Sequence, residues 1–307
     1  MRLNFLSVPL CKTALPDSLT PMCGGHEHVG QPRLFQHAVA SIHLPGSVDP
    51  HDLSTDRQFA MNLARGVQVL RAFSAQSALL GNRELSDITG LPKATVSRLT
   101  YTLSLLGLLE REAASQKFRL TAGVLSLGHP LLASMPVRQL ARPLMVELAQ
   151  RSGCTVNLGM RDRSNVVYID SIRPHDDNAH MPDIGATYPM VASAIGRALI
   201  FATPRQERMA LLNFLRVQDG ETFAKYASAL EEDRKRWEKH GYCHGPGYWR
   251  KEVHAIAVPI AQRSGEPALA MNCTLYAHRN AAEYLPKKVV PLLKDAVRHL
   301  EAAQGLL

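Results

Sequence analysis

The thirty residues GNRELSDITGLPKATVSRLTYTLSLLGLLE, 81–110, constrain the fold more than any other stretch. Leu85 and Ile88 predict the buried side of a short helix, and Gly90 is suited to stop it. Pro92 suits the first turn of a following helix, where its missing N–H would have no partner anyway. Val96, Leu99, Leu103 and Leu106 recur at helical spacing and give that second helix one core-facing seam. Upstream, Leu63, Val67, Leu70 and Phe73 mark an apolar stripe of an earlier helix. Downstream, LGLLERE and KFRLT flank the polar turn Ala113, Ala114, Ser115, Gln116, which predicts two short strands. Helix, short helix, turn, amphipathic helix and hairpin make a winged helix-turn-helix.

The exposed side of the second helix collects Lys93, Ala94, Thr95, Ser97 and Arg98, then Tyr101 and Thr102. Small side chains let a helix approach the floor of a DNA groove. Hydroxyls reach phosphates or base edges, and arginine can pair with guanine through two hydrogen bonds. In the hairpin, Arg111, Lys117 and Arg119 are placed to meet phosphates. Charge distribution supports this. Residues 57–128 carry 9 basic and 4 acidic side chains, against 23 and 18 over the much longer 129–307. Residues 1–56 carry 3 and 5. Similar short helical pairs occur in all-α proteins that never meet DNA, and a basic face is ordinarily just solvated. The adjoining hairpin and the concentrated charge weigh against that alternative.

Past the hairpin, Val124, Leu127 and Leu131 predict a linker helix over 123–135, and Leu140, Leu144 and Leu148 another helix closed by Gly153. TVNLGM and VVYIDSI about RDRSN, and EVHAIAVPI and ALAMNCTLY about QRSGEP, read as hairpins. Helices are expected at SAIGRALIFA, ETFAKYASALEEDRKRWEKH and PLLKDAVRHLEAAQ. Hairpin strands interleaved with helices define an α+β domain over 136–307, so the chain is α+β in two domains, with the DNA-binding unit over 57–122. No G-x-S-x-G, Walker A run or G-x-G-x-x-G after a strand is present, and no enzyme is expected. His240, Cys243, His244 and His254 are the densest group of metal-ligand types, without recognisable tetrahedral spacing; no metal and no cofactor are expected.

The segment 1–56 is rich in Pro, Gly and His without a sustained period and is expected to be a disordered tail, or a product of a misassigned start. Its Cys23, His26 and His28 lack a fourth ligand. The first apolar run, interrupted by Asn4, Ser7 and Pro9, makes a weak secretory signal. Five scattered cysteines suggest reduced thiols and a cytoplasmic location, and no run reaches membrane-span length.

ARGVQVLRAF, ELSDITGLPKATVSRLTYTLSLLGLLER and FRLTAGVLSLG resemble the N-terminal domain of IclR-type bacterial transcriptional regulators, the run Gly90 to Leu99 being the most specific. LARPLMVELAQRSGCTVNLGMRDRSNVVYIDSI, YPMVASAIGRALIFA and AIAVPI extend the resemblance over most of 59–307. It implies a GAF/PAS-like effector-binding domain behind the linker helix, and double-stranded operator DNA and a small-molecule effector as partners. It also implies a homodimer formed through the DNA-binding domains and linker helix, or a homotetramer through the effector domains. Carried over by position, Ala194, Ile195, Cys243, Asn272 and Cys273 line the effector pocket, where a helix N-terminus suits a carboxylate. Trp249, Arg250 and Lys251 depart from the family's acidic loop and favour an aromatic or carboxylated ligand, while the bulky Ile195 bears on pocket size. The same residues could face solvent, and buried Cys243 and Cys273 could serve as small hydrophobes. Two rivals stand beside a regulator: a small-molecule sensor with a non-functional helix-turn-helix, and a hydrolase or metal enzyme on the α+β segment.

Overall fold

Gly90 adopts φ +69°, the left-handed conformation that closes a helix without a Cβ penalty, and two helices meet across it. The structure is a computed structural model that describes residues 56–174, 183–247, 251–263, 265–276 and 281–306. Cys23, His26, His28, Trp249 and Arg250 lie outside the described residues. Helices α1 (Met61–Arg71), α2 (Asn82–Thr89) and α3 (Lys93–Leu105) lead into the antiparallel hairpin β1 (Leu109–Arg111) and β2 (Phe118–Leu120). Phe118 also bridges Leu80, which ties the hairpin back to the start of α2. Val69, Leu85, Val96, Leu103, Leu109 and Phe118 form the core of this unit.

The apolar stripes are rotated from their expected positions. On α1 it is Gly66 and Val69 that are buried, while Leu63 and Val67 are 68% and 41% exposed. Gly66 faces Leu99 of α3, whose side chain a Cβ there would meet at 4.0 Å. Ile88 is exposed because Leu85 and Thr89 occupy the buried side of α2, and Leu106 is exposed beyond the last turn of α3.

Helix α4 (Ala122–Ala133) follows β2 directly. Its cap is Thr121, whose Oγ1 accepts from the Gly123 N–H at 3.1 Å and donates to the Gly107 carbonyl. A Cβ on Gly123 would stand 2.5 Å from that same carbonyl oxygen, so only glycine fits there. No residue of α4 is buried, and Leu125, Leu127 and Leu131 are exposed.

Helix α5 (Pro136–Ser152) closes on Gly153, as its spacing predicts, and opens the second unit. Strands β3 (Thr155–Asp162), β4 (Asn165–Ile172) and β5 (Thr187–Pro189) precede α6 (Ala194–Ala202), α7 (Arg205–Gln218), α8 (Gly220–Lys225) and α9 (Ala227–His240). Then come β6 (Cys243–Pro246), β7 (Val253–Ile260), β8 (Leu269–Tyr276), α10 (Ala281–Tyr284) and α11 (Val290–Ala303), with one π-helical turn over Leu285–Val289. The six strands form an antiparallel sheet in the order β5-β4-β3-β8-β7-β6. Residues of α5 and α11 pack on one face with Val156, Leu158, Met271 and Cys273. Those of α6, α7 and α9 pack on the other with Tyr168, Ala257 and Ala270.

Both expected hairpins form. The helix expected over ETFAKYASALEEDRKRWEKH divides at buried Tyr226 into α8 and α9. The segment about Cys243 is strand β6, since pairing with β7 overrides its weak strand composition.

Candidate functional site

Helix α3 buries Val96, Thr100 and Leu103, and this decides what its other sides present. Lys93, Ala94, Ser97, Arg98 and Tyr101 are exposed, and among the described residues neither Lys93 nor Arg98 has a carboxylate partner. Thr100 fixes the helix against α2 by donating to Asn82 Oδ1 at 3.1 Å. Thr95 and Thr102 turn toward the flank facing α1. There they line a groove with Leu63, Leu99 and Arg65, and the Thr102 hydroxyl donates to the Arg98 carbonyl at 3.0 Å. Arg65 is a cation at this edge that the helical pattern of α1 did not single out.

In the wing, two of the three expected cations are already engaged. Lys117 pairs with Glu84 at 2.7 Å, and Arg119 pairs with Glu110, its cross-strand neighbour, at 3.2 Å. Glu84 also accepts the Gly81 N–H, and that bond, ahead of Lys117, holds its carboxyl below the usual range. Lys117 thus fastens the wing to the start of α2. Arg111 lies over the Phe118 ring, 5.9 Å from its centroid, and has no carboxylate partner among the described residues.

In the second unit, a cavity of about 40 Å³ lies between the sheet and the start of α6. Tyr168, Tyr188, Ser193, Ala194, Gly245 and Asn272 contribute its walls. Ser193 caps α6 by accepting the Gly196 N–H at 3.2 Å, while the N–H groups of Ala194 and Ile195 have no acceptor within the helix. Behind this wall, Arg197 is fully buried and binds Asp233 at 2.7 Å and the Val191 carbonyl at 2.9 Å. Asp233 in turn accepts the His244 N–H at 2.9 Å and pairs with Arg236. This cluster pins the start of α6 to β6 and α9.

Of the expected pocket residues, Ala194 and Asn272 line the cavity and the other three do not. Ile195 is buried with its side chain against Gly159, and Cys243 is buried in the α6-side core. Cys273 points to the opposite face, toward α5 and α11, because successive strand residues alternate. Burial pushes the thiols of both cysteines well up, which keeps them protonated. Tyr168, Tyr188, Ser193 and Gly245 are cavity residues that sequence reasoning missed. No short motif marks them, since the sheet gathers them from distant segments.

His244 and His254 lie on neighbouring strands with ring centroids 6.4 Å apart, but Cys243 faces away. Among the described residues, no three metal-ligand side chains converge. No Asp, Glu, His or Cys lines the cavity either. A cationic helix face in the same chain completes the arrangement of a ligand-responsive DNA-binding regulator.

Residues 62–113 match the IclR helix-turn-helix domain, and residues 129–302 match the C-terminal domain of IclR bacterial transcriptional regulators. The regulator TsaQ1/TsaQ2 of Comamonas testosteroni is 32% identical over 243 residues, covering 78% of this chain and 87% of that one. An IclR family regulator from Brucella abortus superimposes with a TM-score of 0.69 at 36% identity, covering 81% and 94% of the two chains. An IclR homologue from Microbacterium hydrocarbonoxydans, solved with 4-hydroxybenzoate, gives 0.60 at 25% identity over 78% and 98%. The chain belongs to the IclR family of transcriptional regulators and is not an enzyme. No described helix is long and apolar enough to cross a membrane.

Proposed function

We propose that this regulator works in the cytoplasm as a homodimer or homotetramer, with two winged units on operator half-sites and operator affinity set by an organic acid in the α6 cavity. The exposed side of α3 carries the DNA reading: Ser97, Arg98 and Tyr101 share one solvent face with Lys93 at its N-terminal end, and nothing described neutralises the two cations. Lys93, Ser97, Arg98 and Tyr101 enter the major groove, Thr95 and Thr102 follow at its edge, and Arg111, Lys117 and Arg119 meet the backbone. Lys117 and Arg119 do so only by giving up Glu84 and Glu110.

The second unit serves as the GAF/PAS-like effector domain, with α4 as the linker helix. The N–H groups at the start of α6 take a carboxylate, as helix N-termini favour anions. A cavity of about 40 Å³ holds only a few waters, so an aromatic acid enters when its walls part. Ligand then favours the open arrangement over the closed one, and that difference in affinity is what can shift operator binding. The exposed apolar side chains of α4, Leu125, Leu127 and Leu131, take the second subunit.

Fluorescence anisotropy on the protein's own upstream intergenic DNA, across salt concentrations and against scrambled DNA, tests the reading. Native DNA should bind more tightly with a steep salt slope. Arg98→Ala should cost about tenfold or more and flatten the slope by about one, while Arg119→Ala costs less. Equal binding to both DNAs, unaffected by Arg98→Ala, would support the sensor with a non-functional helix-turn-helix.

A further inference from the structure

Beneath the α6 cavity, a chain of hydrogen bonds crosses three strands. Ser171 Oγ donates to Asn157 Oδ1 at 2.8 Å, Asn157 Nδ2 to Asn272 Oδ1 at 2.9 Å, and Asn272 Nδ2 to Tyr168 Oη at 2.9 Å. Asn157, Asn272 and Tyr168 are 0%, 2% and 3% exposed. Tyr168 starts from β4 yet reaches β8, across β3. It can do so because the β3 residue opposite it is Gly159, where a Cβ would touch the Tyr168 ring at 3.4 Å and crowd Val166 and Ile195 at 2.7 Å.

The polarity of this chain has a chemical consequence. Each amide has its oxygen toward Ser171 and its nitrogen toward Tyr168. The phenol oxygen therefore receives a hydrogen from Asn272 and keeps its own. Burial pushes the Tyr168 hydroxyl far above its ordinary range, so it keeps that hydrogen throughout the physiological range. Tyr168 and Asn272 both line the cavity, and a ligand there is the remaining partner. A buried donor left without an acceptor is costly, which makes such a group selective.

We propose that Tyr168 is the specificity-determining donor of the effector cavity, oriented by Ser171, Asn157 and Asn272, and that the effector offers it a hydrogen-bond acceptor: a carboxylate, carbonyl, hydroxyl or ether oxygen. This rests on the cavity being the effector site. Ser171 and Asn157 are positioning residues, since neither lines the cavity. The effector is then a bifunctional acid, its carboxylate at the start of α6 and its second oxygen at Tyr168.

Neutron diffraction from deuterium-exchanged crystals of the ligand-free full chain tests the donor assignment alone. The expected result is a deuteron on Asn272 Nδ2 facing Tyr168 Oη, with the Tyr168 deuteron directed into the cavity. A Tyr168 deuteron resting on Asn272 Oδ1 overturns the proposal. Calorimetric titration with 4-hydroxybenzoate, 4-methoxybenzoate and 4-methylbenzoate tests the selectivity. The first two should bind alike and the third about tenfold more weakly, and Tyr168→Phe, which keeps the ring, should bring all three together. Equal binding of the methyl compound to wild type, or an unchanged ranking in Tyr168→Phe, overturns it. Asn157→Leu should shrink the same ratio, and an unchanged ratio removes Asn157 from the relay. Failure of all three acids to bind, with the deuterons as expected, counts against an aromatic effector and leaves Tyr168 as the donor.

Discussion

At Gly196 the first turn of α6 lies directly on the backbone of Met190, and a Cβ there would overlap the Met190 carbonyl and Cα. Backbone cannot move aside as a flexible side chain can. Gly196→Ala should therefore shift α6 and the cavity lip together, at a stability cost of about 1–3 kcal/mol. Thermal unfolding would show the loss and ligand titration the changed cavity; an unshifted melting curve would contradict the close approach. His244 makes a different prediction. Chiefly through burial, and then through Arg236, His254 and Arg197, its pKa is lowered to about 4. The unfolded chain, with an ordinary histidine near 6.5, binds more protons between these values, so stability rises with pH across that window. Lowering pH from 7 to 5 should remove about 2 kcal/mol through this residue, and His244→Gln should lose that part of the slope in urea titrations. An identical slope in the variant would place the pH dependence elsewhere.

Among the elements, α4 is the one whose sequence and surroundings disagree most. It is strongly apolar, with Leu125, Leu127 and Leu131 exposed at 77%, 65% and 51%, and it borders the groove that also exposes Leu63 and Leu106. Isolated exposed leucines need no explanation, but a helix with no buried residue and a continuous apolar neighbour does. With the proposed subunit contact on α4, Leu127→Asp should sediment as a smaller species than the wild type while keeping its circular dichroism. Retention of the wild-type mass would move the subunit contact away from α4. The wing makes a related point: Lys117 and Arg119 are built into its own ion pairs, and cations counted from sequence overstate what is immediately free for phosphate.

Across the whole molecule, local patterns were legible and assembled surfaces were not. Gly90, Pro92 and the spacing of Val96, Leu99 and Leu103 define α2, the turn and α3 because each acts within a few residues. The β3–β4 hairpin follows in the same way from alternation about a polar turn. The outward face of α3 is equally readable, since burial of Val96 and Thr100 leaves Ser97 and Arg98 outside. Thr95 lies half-buried on the flank of α3 toward α1, which the spacing within α3 alone does not decide. The cavity depended still more on tertiary structure. Tyr168, Asn157 and Asn272 meet only because of strand order and the absence of a side chain at Gly159.

The tight junction between Thr121, Gly123 and Gly107 makes α4 a lever. With its upper end keyed into the winged unit, helix and wing must turn as one body. A helix of 12 residues is about 18 Å long, so tilting it by about 10° at the lower end carries the winged unit about 3 Å. That is close to the rise of about 3.4 Å between successive bases on a DNA strand. On the proposed reading of α3, a small rearrangement at Ser134–Met135 is enough to put that helix out of register by one base.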